Sequence, residues 1–221
     1  MDNSVAYNMD CMKYMSSLPD KAFDLAVVDP PYGIGIDKMN YVKSGAIKIG
    51  KAIRRDYSKT KSWDVAPDEE YFRELFRVSK NQIIWGGNYF SLPLTKSWIV
   101  WDKRTDEKYS NDFADCELAW CSTGVARVFR YLWSGMLQGN MKQKEERFHP
   151  TQKPVALYAW IFSHYAKPGY KILDTHLGSG SSRIAAHDAG LDFVGCEIDN
   201  DYFKAQEERF AAHSAQLRID P

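Results

Sequence analysis

The sequence predicts an α/β protein in which short strands alternate with helices in a layered fold. Three observations carry that expectation. Short apolar runs bounded by breakers recur along the 221 residues, amphipathic stripes at helical spacing lie between several of them, and two runs end in an acid followed by a stiff or glycine-rich turn. The length suits one domain with one substantial core. Hydrophobic residues make up 44% and aromatic residues 14%, a globular balance rich in Trp, Tyr and Phe that leaves disorder to loops.

Ser4–Asn8 reads as the first strand, and Phe23–Val28 as a buried one, because the unbroken apolar run of four from Leu25 to Val28, followed by breakers, suits the centre of a sheet. Pro67 and Asp68 introduce a helix with Phe72, Leu75 and Phe76 on one face. Strands follow at Gln82–Trp85, Trp98–Trp101 and Glu117–Cys121. Behind Pro154 comes a second stripe, Tyr158, Ile161, Phe162 and Tyr165; both stripes are most simply core faces. Lys171–Leu173 and Phe193–Cys196 are the last strands, separated by a helix from near Ser181 to near Gly190. A final helix starts near Asn200, with Phe203 and Phe210 inward and "QEER" outward. No repeats or low-complexity tracts interrupt the pattern.

The 29 Lys and Arg balance 29 Asp and Glu, yet Asp37–Lys61 holds eight cations against two acids. The cations are Lys38, Lys43, Lys48, Lys51, Arg54, Arg55, Lys59 and Lys61, and Ile36–Trp63 is also the stretch poorest in regular pattern. A phosphate-contacting arm is one reading and a solvated loop is the commoner one. Cys11, Cys116, Cys121 and Cys196 form no C-x-x-C pair, so neither a zinc knuckle nor a disulfide framework is signalled, no metal is expected, and the thiols are expected reduced and mostly buried. "MDNSVAYNMD" has no signal-peptide character and no apolar run approaches a membrane span, so the expectation is a soluble cytoplasmic protein.

Two turns carry the candidate chemistry. In "DLAVVDPPYGIG" the strand stops at Asp29; Pro30 and Pro31 lack N–H groups, fix φ and push Asp29 into an extended conformation, which sets Tyr32 on a rigid shelf. Carboxyl ends of strands in open α/β sheets face the ligand crevice, so the shelf presents a carboxylate, free carbonyls and an aromatic face, suited to a flat, hydrogen-bonding substrate. A proline-rich strand exit with a solvated Asp is the plain alternative. In "KILDTHLGSGSSRIAAHDAG" Asp174 ends a strand, and Gly178, Ser179 and Gly180 form a turn before a helix near Ser181, whose free N–H groups face the turn. The next strand ends in Glu197 and Asp199, acids placed to accept ribose hydroxyls. No Gly-Lys-Ser/Thr follows the turn, and Arg183 stands where a dinucleotide fingerprint has its third glycine. An acid before the loop suits a ligand with an ammonium group, and S-adenosylmethionine joins an amino acid end, a ribose and an adenine. Asp174 as a turn-capping residue is the alternative.

Taken together, "DPPYGIG", "HPTQKPVAL", "ILDTHLGSGSS" and "GCEID" resemble the motif series of the S-adenosylmethionine-dependent DNA amino-methyltransferases, in the order of their β class. "YNMDCMKYMSSLPD", "WGGNYF", "WDK" and "DCELAW" extend the resemblance over nearly the whole chain. It implies one methyltransferase domain over residues 1–221, a Rossmann-like sheet flanked by helices and circularly permuted so that the first strand lies beside the last. It further implies that Asp29, Pro30, Pro31 and Tyr32 hold a flipped adenine, Asp29 and the Pro30 carbonyl accepting the amino hydrogens and Tyr32 stacking on the base. Asp10, with Cys11 behind it, then matches the acid at the cofactor adenine and Glu197 the ribose acid, while Thr151 and Lys153 match the segment near the methionine end. Asp29, Asp174, Gly178, Ser179, Gly180, Ser181 and Asp199 complete the implied cofactor shell. Asp10 as a helix cap and Lys153 as a surface lysine are the plain alternatives.

On this reading residues 37–62 form a mobile DNA-contacting segment through Lys38, Tyr41, Lys43, Lys48, Lys51, Arg54, Arg55 and Tyr57. DNA is the partner, and the resemblance is compatible with a companion restriction endonuclease and with dimers. The chain departs from the pattern at Thr175 and His176, where the family commonly has Pro and Phe, and it has no insertion resembling a large target-recognition domain. In the family an Asp at the first catalytic position favours adenine N6 and a Ser favours cytosine N4. Cytosine N4 transfer, a catalytically silent DNA-binding module and a dinucleotide-dependent oxidoreductase are the rival readings; the intact Asp29–Tyr32 motif speaks against the second and Arg183 against the third.

Overall fold

The computed structural model describes residues 4–35, 48–49, 52–53, 64–104, 114–134, 137–142 and 144–216. In chain order the elements are β1 (Ser4–Tyr7), α1 (Cys11–Ser16), β2 (Phe23–Val28), β3 (Lys48–Ile49), β4 (Ala52–Ile53), α2 (Glu69–Val78), β5 (Ser79–Trp85), β6 (Trp98–Asp102), β7 (Cys116–Cys121), β8 (Arg127–Arg130), β9 (Trp133–Ser134), β10 (Leu137–Gln138), α3 (Val155–Tyr165), β11 (Lys171–Asp174), α4 (Ser181–Asp188), β12 (Asp192–Cys196) and α5 (Asn200–Ser214). Eight strands make one sheet in the order β1-β12-β11-β2-β5-β7-β6-β8, and β3–β4 and β9–β10 are two-stranded ribbons.

β2 lies between β11 and β5 and runs parallel to both. Leu25 and Val27 enter the core layer shared with α3 and α4, whereas Ala26 and Val28 enter the layer shared with α1 and α2. Burial on both faces is why Leu25 to Val28 of this strand read as an unbroken apolar run. α2 starts where Pro67 and Asp68 place it: the Asp68 carboxylate accepts from Tyr71 N, Glu69 and Glu70 occupy the positive first turn, and Tyr71, Phe72, Leu75 and Val78 are buried. β7 runs antiparallel to both β5 and β6.

β1 pairs in parallel with β12, Ser4 opposite Phe193, so the first strand does lie beside the last. From β11 the chain proceeds to β12 on one side, and from β2 it proceeds to β5 on the other. Asp174 and Asp29, at the carboxyl ends of β11 and β2, therefore flank the point where the sheet order reverses, the usual ligand crevice of such sheets.

Four expectations need correction. β5 begins at Ser79, three residues before the expected start at Gln82, because Ser79 Oγ donates to Leu75 O and Gln82 Nε2 donates to Ser79 O, which satisfies polar groups in a buried strand. "QEER" faces outward only in part: Glu208 is exposed, but Gln206 is fully buried and Arg209 donates to Ser179 O in the glycine-rich turn. The pattern-poor stretch contains the β3–β4 ribbon, and β8 to β10 have too little apolar alternation to be read in advance. All four thiols are free, but only Cys121 and Cys196 are buried; Cys11 is half-buried and Cys116 exposed. Of the expected DNA-contacting residues, Lys48 lies on β3, while Lys38, Tyr41, Lys43, Lys51, Arg54, Arg55 and Tyr57 lie outside the described residues. Among the described residues no helix is long and apolar enough to cross a membrane.

Candidate active site

The turn after β2 is fixed by its neighbours as well as by its prolines. Gly33 N donates to Asp64 Oδ1 at 2.8 Å, and the Tyr32 hydroxyl donates to Asp29 Oδ1 at 2.8 Å. Tyr32 fits because residue 86 is glycine: at φ +68° a Cβ there would lie 2.2 Å from Tyr32 Cε1. The Tyr32 ring stacks on Tyr89, centroids 5.1 Å apart, and meets Phe90 edge-on at 6.2 Å. Tyr89 is 49% exposed, so the open aromatic face of the shelf belongs to Tyr89, a residue the sequence did not single out within "WGGNYF".

Lys153 is the second surprise. Expected at the methionine end of a cofactor, it places its ammonium on Asp29, with Nζ 2.5 Å from Oδ2. The same Nζ lies 3.2 Å from Glu117 Oε2 and donates to the Tyr32 hydroxyl at 3.3 Å, and Lys103 holds Glu117 Oε1 at 2.9 Å. The Lys153 side chain is only 3% exposed, lying beside the Trp85 ring. Burial pushes the Asp29 carboxyl above its ordinary range while Lys153 pulls it down. Burial acts the same way on Glu117, but the two ammoniums outweigh it and hold that carboxyl at about 2. For Lys153 burial favours the neutral amine, yet Asp29 and Glu117 together keep it protonated. Glu117 and Lys103 come from β7 and the end of β6, which pair across the sheet, so nothing local in the sequence announces their meeting.

The loop that carries Lys153 to this place is fastened to the glycine-rich turn. Val155 N donates to Glu145 Oε1, Glu145 Oε2 pairs with Arg209 at 2.7 Å, and Arg209 donates to Ser179 O and Ser181 Oγ. Thr151 shares a hydrogen bond with His149 Nδ1 at 3.2 Å.

At the other side of the crevice, Asp174 is buried, with Oδ1 accepting from His176 N and Oδ2 from the Ser182 hydroxyl. Its visible work is to shape the turn and the start of α4, the capping alternative. Burial pushes its carboxyl up to about 7. Gly178 and Gly180 have φ of +51° and +72°, values that favour glycine, and Ser179 and Ser181 share a hydrogen bond at 3.1 Å. Glu197 accepts from Gly178 N and Asp199 N, each at 2.8 Å, leaving further lone pairs on both oxygens. Asp10 and Asp199 are exposed helix caps, accepting from Met12 N and from Asp201 N and Tyr202 N. Cys11 opens α1, its thiol pushed up to about 12 by burial. The Thr175–His176 departure is accommodated by Tyr71, whose hydroxyl shares a hydrogen bond with Thr175 Oγ1 at 2.7 Å and whose ring meets His176 edge-on. Burial holds His176 at about 4, so it is neutral at pH 7 and packs as an aromatic ring. Arg183 is buried, bonded to Ser4, Gln206 and Glu207 and stacked over Phe210, which ties α4 to β1 and α5. Among the described residues no group of three or more His, Cys, Asp or Glu is arranged to hold a metal.

The model of a family described as DNA methylase matches residues 51–208. The type II methyltransferase M2.DpnII of Streptococcus pneumoniae is 21% identical, the match covering 95% of this chain and 90% of that protein. Among solved structures, the M1.HpyAVI–SAM complex superimposes with a TM-score of 0.54 at 19% identity, over 92% of this chain and 98% of that one. The cytosine-N4-specific PvuII DNA methyltransferase does so with a TM-score of 0.57 at 12% identity, over 98% and 87%.

Proposed function

This chain belongs to the DNA methylase family, and from that premise we propose that it methylates the N6 amino group of an adenine flipped out of DNA. The observation that carries this reading is a fixed carboxylate, Asp29, at the reversal point of the sheet, beside an exposed aromatic face and across the crevice from a glycine-rich turn. Adenine N6 is a poor nucleophile because its lone pair is delocalised into the ring. Asp29 accepts one amino hydrogen, and the Pro30 carbonyl, held by two prolines, accepts another, which returns electron density to the nitrogen. Acceptors fixed before the base arrives lower the barrier by orientation and electrostatics. Tyr89, stacked on Tyr32, offers a face for the purine.

The donor set on the other side fits S-adenosylmethionine: Glu197 has lone pairs for two ribose hydroxyls, Asp10 lies at the neighbouring strand end, and the turn at Gly178 to Ser181 lines the crevice. When bound, that cofactor supplies an activated methyl group. A base inside a duplex cannot reach Asp29, and extrusion costs roughly a few kcal/mol. The cations of residues 37–61 offset that cost through phosphate contacts.

Incubation with mixed-sequence DNA and labelled S-adenosylmethionine, followed by nucleoside mass spectrometry, tests the reading. N6-methyladenine is expected; N4-methylcytosine overturns the choice of base, and no labelled nucleoside overturns the activity.

A further inference from the structure

Lys153 poses an electrostatic problem for methyl transfer. An ammonium 2.5 Å from Asp29 Oδ2 draws off the electron density with which that carboxylate accepts an amino hydrogen. The ammonium is not committed to Asp29 alone, however. Its three N–H donors face three oxygens, those of Asp29, Glu117 and the Tyr32 hydroxyl. Charge neutrality does not require this. One carboxylate balances one buried ammonium, yet Glu117 is present as a second, and Lys103 balances it in turn. The four charges cancel in two layers: Asp29 and Lys153 inside, Glu117 and Lys103 behind them.

Building on the methyl-transfer reading, we propose that Glu117 is a positioning residue that divides the Lys153 ammonium between two carboxylates, so that Asp29 stays a strong acceptor, and that Lys103 sets the size of the share. Neither residue touches the base; both act through Lys153. The other titratable groups facing Asp29 are Tyr32 on its own turn, Tyr71 from α2, Tyr158 from α3 and Asp174 from β11. Burial is the largest push on the three tyrosines and keeps them neutral; Glu117 adds a smaller push in the same direction at Tyr32 and Tyr158, so its removal leaves them neutral.

The two outer residues push Asp29 in opposite directions. In Glu117→Gln the ammonium falls wholly to Asp29 and a nearby negative charge is lost, so Asp29 gives up its proton at lower pH. In Lys103→Gln the unscreened Glu117 draws Lys153 away and adds its own charge, so Asp29 keeps its proton to higher pH. Carboxyl carbon NMR of the protein without DNA or cofactor reads this directly, the Asp29 signal being identified by its loss in Asp29→Asn. The midpoint is expected to fall by about 1 pH unit in Glu117→Gln and to rise by about 1 in Lys103→Gln, as for one charge removed at a few ångströms. Glu117→Asp, which keeps the charge on a shorter stem, returns it towards wild type. In the transfer assay, Glu117→Gln lowers kcat tenfold or more, while S-adenosylhomocysteine affinity stays within a few fold.

Midpoints that coincide with wild type, or that move the same way in both variants, overturn the proposal. If Glu117→Gln does not fold, the upward shift in Lys103→Gln decides alone. Because the titration needs no substrate, its failure overturns this inference without touching the activity; wild-type protein that leaves DNA unmethylated overturns the activity and with it the role given to Glu117.

Discussion

Asp29 has both carboxylate oxygens engaged, by Tyr32 and by Lys153, and is the acceptor on which the proposed methyl transfer depends. Asp29→Ala should therefore reduce transfer by about 10²- to 10³-fold or more, the range seen when one fixed hydrogen-bonding group is lost from a reaction centre. Calorimetry with S-adenosylhomocysteine should show affinity within a few fold of wild type, because the acid serves the base; a large loss of affinity would place it in the cofactor shell. Asp174 gives a pH prediction. Its folded value of about 7 lies above the ordinary 3.8, so its contribution to stability is present at low pH and is lost as pH rises through about 7. Asp174→Asn removes that loss. Melting of the variant relative to wild type, without cofactor, should be higher at pH 8 than at pH 5; an unchanged difference would mean Asp174 is ionised throughout. Asp29 was legible in the sequence because prolines and an aromatic ring punctuate it, and Asp174 because glycines follow it. Glu117, Lys103 and Tyr89 were not, since a charge on one strand carries no mark of the charge that folding brings beside it.

At the scale of elements, legibility follows burial. β2 is legible to the residue because Leu25 to Val28 are buried on both faces, while the start of β5 is hidden because its first residues are polar and satisfied by their own hydrogen bonds. The outer face of α5 is only half legible: Glu208 is exposed as its charge suggests, but Gln206 and Arg209 look like surface residues and are what packs that helix over the glycine-rich turn. The short turn after β5 sets the shelf. Gly86→Ala puts a methyl into the Tyr32 ring at a positive φ, a strain of roughly 1–3 kcal/mol. Transfer should fall at least tenfold, melting should drop by a few degrees, and cofactor affinity should hold. Unimpaired transfer would show that Tyr32 is free to move without consequence.

For the whole molecule, strand and helix alternation was enough to fix the layered class, and the motif order was enough to place β1 beside β12. The chain is electrically neutral, so attraction to DNA rests on where its charge lies. Charge reversal at Arg54 and Arg55 should weaken duplex binding and flatten the dependence of affinity on salt, since fewer counterions are released. Fluorescence anisotropy at several salt concentrations checks it; superimposable lines for wild type and variant would move the phosphate contacts elsewhere. The pairing of β1 with β12 also has a consequence in time. Asn8 Nδ2 donates to Glu197 O, a partner 189 positions later. A ribosome adding about 5–20 residues per second takes roughly 10–40 s to cover that distance. Until then Asp10 and Cys11 have no β12 beside them and the nascent chain has no complete crevice. A ligand that bridges the two strand ends stabilises only the closed sheet, so the supply of cofactor in the cell should govern how much newly made protein escapes proteolysis.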